Sequence, residues 1–143
     1  MSLEWERVIP CTAEEIDGVE KAIGRPFSSE LRALLLRANA GRPSLPYWYT
    51  GGYEGGLGRL IPLLDRPLRG KMIDRGIASM TAWAREAGTP EGIVFGFDEG
   101  NDGVYLQLPS ERCVYWTDTG PSSGMEVGAT LEAFLASLEE PPY

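Results

Sequence analysis

Apolar residues recur every three to four positions in four stretches of this chain and alternate or run on in three others, which separates helices from strands. Thr12-Ala13-Glu14-Glu15 has the spacing of a capping box, in which the Thr hydroxyl and the Glu three residues on satisfy each other's free amides. Ile16, Val19 and Ile23 follow on one face, so a first helix spans about 13–23 and stops at Gly24. Ser28 caps a second helix, Glu30 complements the positive end of its dipole, and Leu31, Leu34, Leu35 and Ala38 form its buried stripe. Asn39-Ala40-Gly41 then offers a left-handed exit, because Asn and Gly tolerate positive φ.

From Arg42 to Gly58 the chain mixes Gly, Pro and aromatic residues, and Tyr47-Trp48-Tyr49 reads as a strand packed on the core or as an exposed anchor cluster. Leu60 to Leu64 is a short apolar run with strand or turn character. Met72, Ile73, Ile77, Met80, Trp83, Ala84 and Ala87 keep near-helical spacing, which predicts a third helix over about 71–87, ended by Gly88. The period then shortens to two. Ile93 to Phe97 and Val104 to Leu108 form strands joined by an acidic Asp-Gly turn at 98–103, and Arg112 to Trp116 adds a third strand. Thr130 caps a closing helix with Leu131, Phe134, Leu135 and Leu138 on one side. Leu34, Leu35, Phe95, Leu106 and Phe134 are the expected heart of the core.

Composition narrows the chemistry. At 143 residues, with Leu, Ile, Val and Phe making up 33 of them, the chain is sized for one domain, residues 1–143, with its own core. It contains no histidine, which removes Ser-His-Asp triads, His shuttles and His-ligated metals. Cys11 and Cys113 stand 102 positions apart, so no Cys-x-x-Cys motif or zinc knuckle exists, and two free thiols are expected. The Gly-rich segments fit neither a dinucleotide fingerprint nor a P-loop. A calcium loop opening at Asp98 has Gly100 at its third position and Pro109 at its last, where oxygen ligands are needed. No cofactor, no metal and no catalytic residue is therefore expected. The segment 1–10 lacks the apolar core of a signal peptide and no window is long and apolar enough for a membrane span, so a cytoplasmic protein is expected.

Charge is unevenly placed. Residues 1–85 carry 12 bases and 10 acids, whereas residues 86–143 carry 11 acids and Arg112 as their one base. An acidic face repels phosphate backbones and steers basic protein surfaces, so a protein partner is expected rather than nucleic acid. The best contact candidates are Asp98, Glu99, Asp102, Asp118 and Glu126, in or beside predicted turns. Tyr47, Trp48, Tyr49 and Tyr53 are the alternative surface.

In order along the chain, these elements resemble the SUKH superfamily, the Smi/Knr-like domain, over about residues 12–138. The likeness rests on Thr12-x-x-Glu15, Val19-Glu20-x-x-Ile23-Gly24 ahead of Pro26, and the Leu-rich helix closing in Asn39-Ala40-Gly41. It continues through Phe95-Gly96-Phe97-Asp98-x-x-Gly100-Asn101, Val114-Tyr115-Trp116 and Leu131-x-x-Phe134-Leu135. The family usually has Asn-Gly-Gly where this chain has Asn39-Ala40-Gly41. The resemblance implies an α+β domain, with N-terminal helices packed on a mostly antiparallel sheet and a closing C-terminal helix. It further implies a non-catalytic binding module, in bacteria commonly an immunity protein that blocks a cognate toxin, often a nuclease. Eukaryotic relatives are regulatory or scaffolding modules instead, which is the alternative for this chain.

Overall fold

A two-residue strand, β1 (Trp5–Glu6), leads into helix α1 (Ala13–Ile23) in the computed structural model, which describes residues 3–50, 53–88, 91–98, 103–108, 110–116 and 124–140, residues 50 and 53 by backbone alone. Thr12 Oγ1 accepts from the Glu15 amide at 3.1 Å and Glu15 Oε1 from the Thr12 amide at 2.9 Å, so the capping box is formed. Gly24 ends the helix at φ +93°, a backbone that a side chain would strain. Ser28 Oγ accepts from the Leu31 amide at 3.1 Å and opens α2 (Ser29–Ala38). Ile16, Val19, Leu31, Leu34, Leu35 and Ala38 are buried, so both stripes face the core as expected.

The exit from α2 is built differently. Ala40, at φ +62°, is the left-handed residue, while Asn39 sits at φ −47° and ψ 128°. Asn39 is only 4% exposed and acts as a clamp. Its Nδ2 donates to the Ile9 carbonyl at 3.0 Å, its Oδ1 accepts from the Leu63 amide at 2.8 Å, and its carbonyl accepts from the Ile9 amide at 2.9 Å. Gly41 answers to space, since a Cβ there would lie 2.7 Å from the Ala38 carbonyl oxygen.

Strand β2 (Arg42–Pro43) pairs antiparallel with β1, and β3 (Tyr47–Thr50) forms an antiparallel hairpin with β4 (Tyr53–Gly56). Trp48 points inward from β3 at 1% exposure, opposite Gly55, whose added Cβ would come within 2.6 Å of the indole. Of the apolar run 60–64, only Leu60 is in a strand, β5 (Arg59–Leu60), yet Ile61 and Leu63 are buried.

The third helix starts later than its pattern suggests. β6 (Arg66–Pro67) and β7 (Ile73–Asp74) form a small hairpin first, and α3 spans Ile77–Glu86. Asp65 Oδ1 accepts from the Gly76 amide at 2.6 Å and from the Ser79 hydroxyl at 2.9 Å, placing a carboxylate at the positive end of the helix. Met72 and Ile73, which share the helical spacing, are exposed in that hairpin instead. The buried stripe is Ile77, Met80, Thr81 and Ala84, whereas Trp83 is exposed. Thr81 Oγ1 accepts from the Val94 amide at 3.1 Å.

The meander follows as β8 (Gly92–Phe97), β9 (Gly103–Gln107), β10 (Arg112–Trp116) and β11 (Met125–Gly128), and α4 (Leu131–Ala136) closes the chain behind its Thr130 cap. The sheet order is β11-β10-β9-β8-β5, antiparallel throughout. The expected acidic turn lies largely outside the described residues. The fold is α+β, with four helices among the described residues and antiparallel sheets. Leu34, Leu35, Phe95, Leu106 and Phe134 are all buried, and the Phe95 and Phe134 rings meet edge to face at 6.3 Å.

Truncating Phe134 to Ala is expected to lower stability by about 3–5 kcal/mol, read from a denaturant titration; a loss under about 1 kcal/mol would show that α4 is not docked on the sheet. Asn39→Ala orphans the Leu63 amide and the Ile9 carbonyl and is expected to cost about 3 kcal/mol in the same measurement.

Candidate functional site

The ladder fixes where two connections leave the sheet. Phe97 faces Gly103 and Gly103 faces Trp116, so the β8–β9 and β10–β11 connections leave the sheet at the same end. Asp98 stands at that end, where its Oδ2 accepts from the Tyr115 hydroxyl at 2.7 Å. Glu126 is exposed on β11, with Oε1 3.4 Å from Arg112 Nη1. Glu99, Asp102 and Asp118 lie outside the described residues.

The aromatic candidates are divided by the pleat. Trp48 is core, and Tyr47 is 7% exposed with its hydroxyl bonded to Glu54 Oε2, so neither offers a surface in this state. Tyr49 is 62% exposed; the Tyr53 side chain lies outside the described residues. The Trp48 ring lies 5.1 Å from that of Tyr115, the residue that holds Asp98. The two candidate sets therefore meet at Tyr115, which the sequence reading treated only as a strand residue.

A surface of opposite sign lies among residues far apart in sequence. Arg7, Arg42, Arg59 and Arg66 line a cleft of about 410 Å³ in which Asp74 is the one acid, and Ile9, Ala40 and Leu68 supply apolar wall. Asp74 holds Arg59 through two bonds, at 2.9 and 2.7 Å, and lies 3.7 Å from Arg66. Arg59 also lies 5.5 Å over the Phe97 ring. Arg7 and Arg42 form no ion pair among the described residues. Sequence reading missed this cleft because the four arginines are spread over sixty positions whose overall charge nearly balances.

Among the described residues no acidic and thiol group of three or more could hold a metal ion, and no helix is long and apolar enough to cross a membrane. An α+β domain with helices packed on an antiparallel meander is the class defined here. Residues 10–137 match the SMI1 / KNR4 family (SUKH-1), and the chain belongs to that family. No curated protein matches it.

The buried acids of the core are thiol and phenol groups. Burial pushes the Cys113 thiol up to about 12, with Glu30 and Glu126 adding to the shift. It pushes the Tyr105 phenol up to about 12 against the pull of Arg112. Cys11 is also raised, by burial and then by Glu15. A thiolate is the nucleophilic form, so neither cysteine is activated. Unfolded, these groups ionise at 9.0 for thiols and 10.0 for the phenol. Below pH 9 both states are protonated and stability is unaffected; from about 9 to 12 the unfolded chain releases protons that the folded chain keeps, so stability falls. Denaturation midpoints measured across that window are expected to drop, and Cys113→Ala to make the fall shallower throughout it. Midpoints flat to pH 12 would contradict the burial of both groups.

Proposed function

We propose that this chain is a non-catalytic, cytoplasmic protein-binding module that acts as an immunity protein, occupying a basic surface of a cognate bacterial toxin such as a nuclease. The supporting observation is the end of the meander where the connection that carries Asp98, Glu99 and Asp102 in sequence and the one that carries Asp118 leave the sheet together, with Tyr115 anchoring Asp98. Asp98, Glu99, Asp102, Asp118 and Glu126 make the contact in this reading, and Tyr49, exposed on β3, is the aromatic residue available to extend it. Membership of the SUKH family supports a binding role, and the lack of histidine and of an activated thiol supports a role without catalysis. Acids around a basic cleft act mainly on encounter, by raising the local concentration of the partner. The regulatory alternative, a scaffolding module with no toxin, predicts a partner not encoded beside this gene.

Association with the toxin encoded alongside is expected to slow steeply as salt rises from about 0.05 to 0.5 M, where the Debye length falls from about 14 to about 4 Å, while dissociation changes less. The triple substitution Asp98→Asn, Glu99→Gln, Asp102→Asn is expected to mimic high salt. An on-rate indifferent to both would leave the acidic end a solubilising surface and move the contact to the aromatic hairpin.

A further inference from the structure

The arginine cleft sits on a chain of net charge −8, yet its lining carries four guanidinium groups against one carboxylate. Among the described residues only Arg59 is fully committed, pinned between Asp74 and the Phe97 ring; Arg42 faces Glu6 across the β1–β2 ladder without closing an ion pair with it. Two of the three non-glycine residues described at positive φ, Arg7 at +57° and Ala40 at +62°, line this one cleft. Such backbone persists where the surroundings hold it, and it concentrates at binding sites. Beside the cleft the β6–β7 hairpin presents Leu68, Met72 and Ile73 at 44%, 67% and 60% exposure, with Arg69, Lys71 and Arg75 exposed among them. Large apolar side chains grouped at the rim of a charged cleft mark a contact surface.

We propose that this cleft and hairpin bind an acidic segment of a second protein. Carboxylates seat on Arg7, Arg42 and Arg66, and an apolar side chain between them covers Leu68, Met72 and Ile73. Guanidinium forks accept carboxylate and phosphate alike. The exposed apolar hairpin decides between them, since a phosphate group would leave it bare. The inference goes beyond the toxin reading, because this surface has the opposite sign and shares no residue with the acidic end.

The test uses the full chain and a fluorescein-labelled synthetic peptide in which Glu-Asp pairs flank Leu, with a Lys-for-Glu/Asp counterpart and inorganic tripolyphosphate as further probes. Anisotropy at low salt is expected to show the acidic peptide binding, the basic one not, and affinity falling as salt rises. The variant Arg42→Gln/Arg66→Gln, which leaves the Arg59–Asp74 pair intact, is expected to weaken binding at least tenfold. Met72→Ser/Ile73→Thr is expected to weaken it at least threefold. Unchanged melting temperatures confirm that both variants fold. No binding of the acidic peptide up to about 1 mM, equal affinity in the arginine variant, or binding of tripolyphosphate but not of peptide would each overturn the proposal; the last would make the cleft a phosphate site. These outcomes are independent of the toxin experiment, which reads a different surface.

Discussion

One buried amide holds the N-terminal half together. Asn39 is among the few polar side chains inside the described structure, and it is satisfied from two directions, by the segment before α1 and by the irregular run after β5. A buried amide left unpaired costs free energy comparable to a lost hydrogen bond or more, so its neighbours are held to one arrangement. That arrangement puts Ile9, Ala40 and the strands β1 and β2 beside β5, with the Leu60 amide donating to the Gly41 carbonyl at 2.8 Å. The walls of the arginine cleft are the residues on either side of these contacts. Apolar burial supplies the driving force for folding here, but it does not say which segments lie side by side, and the amide does.

The setting of Asp98 depends on aromatic contact. Trp48 packs on Tyr115, and Tyr115 reaches Asp98, so a core residue of the β3–β4 hairpin is two contacts from a surface carboxylate. Gly55 makes this possible by leaving the indole room on the facing strand. Asp98 stands at one end of the sheet, while four guanidinium groups line a cleft built from the first seventy-four residues.

Much of this was legible beforehand. The capping residues Thr12, Ser28 and Thr130 mark helix starts because a cap is a local hydrogen bond between residues three apart. The meander strands show their period because buried strands are continuous or alternating whatever surrounds them. Met72 and Ile73 misled because spacing is blind to Asp65, which reaches across from eleven residues before Gly76 to the amide that starts α3. β11, β1 and β2 were missed since each is short and defined by its partner. The clamp role of Asn39 and the meeting of four arginines are long-range facts, and nothing in a local window encodes them.

The helix exit at Asn39-Ala40-Gly41 shows which of two glycines such a turn can give up. At Gly41 a methyl group would strike the Ala38 carbonyl, so the obstacle is steric and no rearrangement of side chains removes it. At Ala40 the obstacle is only the left-handed backbone, about 1–2 kcal/mol for a residue with a Cβ. Alanine also restricts the unfolded chain, which offsets about 0.4–1 kcal/mol of that. A left-handed alanine at position 40 is therefore a net cost of at most about 1.6 kcal/mol, whereas a side chain at Gly41 would require the Ala38 carbonyl itself to shift.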